Sequence, residues 1–171
     1  MIEDFSQLLK KVVSGDETSG MTLLSYFENQ TISVEEQMQV HVYLKQAARE
    51  SHHAIYLRGL LYEHAYGVKQ DFDMAFLLMR EAASKGNAKA TYAVGCYFLQ
   101  GLGVEKNYHN ALQWLKIAAG SPHYVAQAMY DLGYLYQEGL GVEVDLKQAQ
   151  AWYEKAANKG YLPAKEKLAI K

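Results

Sequence analysis

The sequence predicts an all-α protein made of about three stacked helix pairs with helical caps at both ends, and two observations carry that reading. First, Gly59, Leu60, Leu61 and Tyr62 return as Gly95, Cys96, Tyr97 and Phe98, and again as Gly133, Tyr134, Leu135 and Tyr136, in steps of 36 and then 38 residues. The same two steps relate Gly67, Gly103 and Gly141, each followed by valine. They also relate Ala75, Ala111 and Ala149, and the pairs beginning at Ala82, Ala118 and Ala156. The two extra residues of the second step fall in one connection, residues 120–124. Second, between these markers the apolar and small residues recur at three and four, the spacing of one helix face.

Within each unit a first helix, A, carries Ala54, Arg58, Gly59 and Tyr62, then Ala90, Val94, Gly95 and Phe98, then Ala128, Leu132, Gly133 and Tyr136. Its small residues allow another helix to approach closely and the aromatic fills the space beside them. Gly67, Gly103 and Gly141 are read as ending helix A, where a positive φ costs glycine nothing. Asp71, Asn107 and Asp145 follow four residues later, placed to cap the free N–H groups of a second helix, B. Helix B carries Ala75, Leu78, Met79 and Ala82 in the first unit and Ala149, Trp152, Tyr153 and Ala156 in the third. Gly86 and Gly160 close it there, and Gly120 with Pro122 does so in the second.

Before residue 54 the pattern degenerates. Residues 2–13 place Phe5, Leu8, Leu9, Val12 and Val13 on one helical face, and residues 21–27 form a weaker helix after a break at 15–20. Ser33 and Glu36 have the form of a capping box opening a helix that ends near Leu44, Ala47 and Ala48, a half-unit resembling helix B. The expected organisation is a cap over 1–53, units at 54–89, 90–127 and 128–163, and a polar capping helix around Ala164 to Leu168.

Half of the residues are apolar, enough for a continuous core. Seventeen Lys and Arg against 19 Asp and Glu leave a net charge of −2, with arginine only at 49, 58 and 80. Binding nucleic acid by releasing phosphate counterions is therefore disfavoured. The single cysteine, Cys96, cannot form an internal disulfide and points to a reducing compartment. The start, Met1 to Phe5, is acidic where a secretory leader is basic, and no apolar run is long enough to cross a bilayer. The expectation is a soluble cytoplasmic protein without membrane insertion, monomeric or weakly oligomeric; leaderless export as an effector would leave no mark.

The stretch from Ala128 to Asp145, with Gly133, Gly139 and Gly141, continuing through Ala149, Trp152, Ala156 and Gly160, resembles the Sel-one-like repeat (SLR) family. The likeness covers residues 54–168 and is looser in the first unit, where Arg58 and Ala65 replace the usual leucine and glycine. The resemblance implies a right-handed α/α superhelix of the SLR and tetratricopeptide kind, whose A helices line a concave side that holds a protein or peptide. It also implies a bacterial adaptor or scaffold, with neutralisation of a cognate toxin as a special case. A cysteine-rich branch that binds penicillin relies on disulfide pairs, which Cys96 alone cannot supply.

Candidate sites divide between chemistry and packing. Asp71 and Asp145 recur at one repeat position, which suits helix caps rather than catalytic acids. Gly101 with Gly103, and Gly139 with Gly141, hint at phosphate loops but lack a preceding strand, and are read as turns. His52, His53 and His64 lack a further ligand at metal-binding spacing. Trp114 and Trp152 share a helix B position and are read as packing residues, and Cys96 as a small packing residue rather than a nucleophile. No cofactor, metal or catalytic residue is therefore expected.

The expected partner-binding residues are those of helix A that neither face helix B nor repeat for packing. They are Tyr56, Leu57, Leu60 and His64, then Tyr92, Ala93, Cys96 and Gln100, then Tyr130, Asp131, Tyr134 and Glu138. Their aromatic, weakly polar character suits a protein or peptide groove. Packing of Tyr56, Tyr92 and Tyr130 between neighbouring A helices stays open. So do a hydrolytic enzyme built on Cys96 or the acidic pairs, and a purely structural oligomerisation unit.

Overall fold

A computed structural model describes residues 5–120, 122 and 124–169. Among these residues there are ten α-helices and no strand: α1 Phe5–Val13, α2 Glu17–Glu28, α3 Val34–Ala47, α4 His52–Glu63, α5 Phe72–Ser84, α6 Ala88–Gln100, α7 Tyr108–Ala119, α8 Ala126–Glu138, α9 Leu146–Asn158 and α10 Leu162–Ala169. The helices form two compact units, residues 1–87 and 88–171.

In the first unit α1 packs on α2, α3 and α4, and α4 packs on α3 and α5. Their shared core holds Leu9, Val12, Leu23, Phe27, Val40, Leu44 and Leu61. The capping box is present: the Ser33 hydroxyl accepts the Glu36 N–H at 3.2 Å while the Glu36 carboxylate accepts the Ser33 N–H at 2.8 Å. The break before α2 is shorter than its two glycines suggest. Asp16 caps α2 by accepting the Ser19 N–H at 2.6 Å, so Gly20 lies inside the helix. Ser51 joins two elements, accepting the Ala54 N–H that opens α4 and donating to the Val13 carbonyl at 2.6 Å. His53 lies against Gly15, where a Cβ would run into the imidazole, and Asn87 meets His52 Nδ1 at 3.3 Å.

The second unit alternates A and B helices. α6 packs on α7, α8 on α7 and α9, and α10 on α9, around Leu112, Leu115, Ala128, Leu132, Leu135, Ala156 and Ala164. The restarted helix at the C-terminal end is α10, as the pattern predicted.

Each A–B hairpin is built alike. A Cβ on Gly59 would come within 2.9 Å of Met79, one on Gly95 within 2.9 Å of Leu115, and one on Gly133 within 2.7 Å of the Tyr153 ring. Those three partners also share one repeat position, so glycine is what lets A and B approach. The expected caps form: Asp71 accepts the Met74 N–H at 2.8 Å, Asn107 the Asn110 N–H at 2.9 Å and Asp145 the Gln148 N–H at 2.9 Å. The same three residues donate their own N–H to the carbonyls of Tyr62, Phe98 and Tyr136, closing each loop.

The position that ends helix A differs from the expectation. The helices stop at Glu63, Gln100 and Glu138, ahead of the glycines at 67, 103 and 141. The left-handed residues next to these ends are Ala65 (φ 59°), Gly101 (φ 76°) and Gly139 (φ 69°). Gly67, Gly103 and Gly141 supply a second left-handed turn further along, with φ of 69°, 62° and 71°. Two glycines per loop are needed because the chain reverses in a few residues, and only the first loop places an alanine at one of them. Pro122 lies in the longer connection after α7, whereas Ser121 and His123 fall outside the described residues.

Candidate functional site

The expected partner-binding residues divide by unit. In the first, all four stand on or just after α4. Leu57 is 5% exposed and belongs to the core, so it cannot present a side chain to a partner and leaves the candidate surface. The reason is the N-terminal cap: α1 and α3 both pack on α4, covering a face that the repeat pattern alone leaves open. Tyr56 and Leu60 are half-buried against the same core. Burial pushes the Tyr56 phenol up to about 12, with the Glu63 charge adding to it. His64, the exposed C-cap of α4, lies 5.3 Å from the Tyr66 ring.

In the second unit α6 supplies Tyr92, Ala93, Cys96 and Gln100, and α8 supplies Tyr130, Asp131, Tyr134 and Glu138. The Tyr92 hydroxyl donates to Asp131 Oδ2 at 3.0 Å, bridging the two A helices. Both groups are half-buried. Burial is the main cause that pushes the Asp131 carboxyl up to about 6, and the Tyr92 hydrogen bond only partly opposes it. The Tyr92 phenol is itself pushed well up by burial, then by the Asp131 charge and by neighbouring Cys96.

Around this pair stands a group of tyrosines. The Tyr130 ring lies 5.2 Å from that of Tyr153 on α9 and 5.4 Å from that of Tyr161, edge-on to the latter. Tyr153 is buried, and its phenol is pushed up to about 12, first by burial and then by its neighbours. Tyr134, by contrast, is 48% exposed. Gln100 and Glu138 are exposed, while Ala93 and the Cys96 thiol are half-buried.

A hydrogen bond between A helices thus takes up part of Tyr92, ring contacts with α9 and Tyr161 take up part of Tyr130, and Tyr134, Gln100 and Glu138 reach solvent. The direct Tyr92–Asp131 contact is not stated by the repeat alone. In it the residue three before one packing glycine meets the residue two before the next, across two separate helices. In the third repeat Trp152 is half-buried on the core with the Lys155 ammonium 3.9 Å from its ring centre.

Helix pairs with a recurrent packing glycine, a recurrent cap and non-repeating residues on the A helices define a helical-repeat scaffold. The Sel1 repeat model matches residues 52–87, 88–122 and 126–161, and the chain belongs to the Sel1 repeat family. Proteins of this family are generally protein-interaction modules, and their fold is typically a non-catalytic scaffold. The fold resembles a protective antigen of uropathogenic Escherichia coli strains displaying an SLR fold, at 27% identity and TM-score 0.77 over 98% of this chain. A Sel1 repeat protein from Oxalobacter formigenes is similar at 28% identity and TM-score 0.71 over 86% of this chain. The chain spans 36% of the former and 58% of the latter. Helicobacter pylori cysteine rich protein B shares the fold, at 24% identity and TM-score 0.55, over 71% of this chain and 91% of its own. No curated protein matches the chain. Among the described residues no helix is long and apolar enough to cross a membrane.

Proposed function

We propose that the chain is an adaptor that holds a protein or peptide partner on the A-helix face formed by α6 and α8. The observation that supports this most is the exposure of Tyr134 beside the half-buried Tyr92–Asp131 bridge. A large amphipathic ring stands out to solvent there, beside a hydrogen bond that ties the two A helices together. Tyrosine in such a setting offers contact area at low entropic cost and is a frequent anchor of binding surfaces. Gln100 and Glu138, both exposed, supply polar groups on the same two helices. Tyr56 and Leu60 on α4 make a weaker case, because the N-terminal core takes up much of their surface.

Affinity capture from the native cell extract tests this. Wild-type chain is compared with Tyr134→Ala and with Leu77→Ala, which removes a similarly exposed apolar side chain from α5. The expected outcome is a partner whose recovery falls at least tenfold with Tyr134→Ala and not with Leu77→Ala. Equal recovery by all three, or loss with Leu77→Ala alone, would refute the assignment of this face.

A further inference from the structure

Asp131 is a half-buried carboxyl with an incomplete set of partners. Among the described residues its one hydrogen bond comes from the Tyr92 hydroxyl, to Oδ2. No lysine or arginine among the described residues forms a salt bridge with Asp131. The causes that move its proton affinity are burial and the Tyr92 hydroxyl, with no positive charge among them. Lys167, which occupies the matching repeat position on α10, is instead directed over the Tyr153 ring at 5.8 Å. A carboxylate held out of water without a counter-charge is costly, and an arriving cation would recover that cost.

The candidate residues on this face carry charge of one sign. Of the eight candidate residues on α6 and α8, the charged ones are Asp131 and Glu138, both acidic, with Tyr134 between them along α8. The groups that interact with Asp131 are the Tyr92 phenol from α6, Tyr153 from α9 and Tyr161 before α10, and Tyr134 stands one helical turn further along α8. Tyrosine ring faces attract cations, and they also pack well along the methylene stem of lysine or arginine.

Resting on the adaptor reading of this face, we infer that the α6–α8 surface receives a basic side chain of its partner. The cationic head would meet Asp131 beside the Tyr92 hydroxyl, and the stem would lie against Tyr134. The partner is therefore a protein or peptide segment carrying an exposed arginine or lysine, with Glu138 available to a second basic residue. Arginine fits best, since its planar guanidinium can both bond a carboxylate and stack on a ring.

The experiment follows Asp131 and the tyrosine rings by NMR during titration with N-acetyl-arginine amide, using N-acetyl-citrulline amide as the uncharged isostere. The expected result is a saturable shift at Tyr92, Asp131 and Tyr134 with arginine. It should be at least tenfold weaker with citrulline and in Asp131→Asn, which keeps an acceptor for the Tyr92 hydroxyl. Bound arginine should move the Asp131 titration below its free midpoint of about 6. Protonation should accordingly weaken binding as pH falls through that region. Equal binding of arginine and citrulline, binding unchanged by Asp131→Asn, or no saturable shift would overturn the inference. A captured partner that is lost with Tyr134→Ala but retained by Asp131→Asn would overturn the basic side chain while leaving the face itself in place.

Discussion

Tyr56, Tyr92 and Tyr130 stand at one repeat position, three residues before the packing glycine, and meet different surroundings in the two units. On α4 the tyrosine and its neighbours Leu57 and Leu60 turn into a core shared with α1, α2 and α3. On α6 and α8 the equivalent tyrosines meet a carboxyl and other rings, and the flanking Gln100, Tyr134 and Glu138 remain exposed. One repeat position thus serves packing where an N-terminal cap lies against the A helix, and a mixed, half-open surface where the neighbour is another repeat. A repeat pattern specifies which residues leave the A–B seam. What covers them depends on the neighbouring helix.

Truncating Leu57 gives the largest expected effect. Leu57→Ala should cost about 2–5 kcal/mol in urea denaturation, as a buried leucine does, whereas Tyr134→Ala should stay within about 0.5 kcal/mol. Comparable small losses at both positions would place Leu57 on the surface and erase the difference between the units.

The glycine seam should show a smaller contrast. In Gly133→Ala the new methyl meets the ring of buried Tyr153 at 2.7 Å, so despite the gain of about 1 kcal/mol in helix propensity the change should destabilise by about 1–2 kcal/mol. In Gly59→Ala the nearest atom is the Met79 Cε at 2.9 Å, the far end of a flexible side chain, so the two effects should nearly cancel. Thermal unfolding of both variants measures this; an equal loss would show that Met79 is held as rigidly as Tyr153.

The smallest effect concerns the loop after α4. Ala65 sits at φ 59° where the later repeats have Gly101 and Gly139, so Ala65→Gly should stabilise by about 1 kcal/mol. A loss of stability on that change would mean that the first loop relies on its alanine side chain.

Much of the architecture was legible because it is local and repeated. The period of 36 and 38 residues, the Asp71, Asn107 and Asp145 caps, the Ser33 capping box and the close approach at Gly59, Gly95 and Gly133 each depend on residues near in sequence or at equal offsets. The end of helix A was misplaced by a few residues because each loop holds two left-handed positions, and the first repeat hides one of them behind Ala65. Along the candidate face Tyr134, Gln100 and Glu138 are exposed, whereas Leu57 is buried under the N-terminal helices, which the repeat pattern does not indicate.

By itself, then, the sequence determined an all-helical Sel1 repeat chain and the side of each A helix that turns away from helix B, since both follow from periodicity and from glycine's missing Cβ. Tertiary structure decided that the cap buries Leu57 and that Tyr92 reaches Asp131. Those contacts join residues on separate helices, and only packing sets the burial that raises the proton affinity of Asp131.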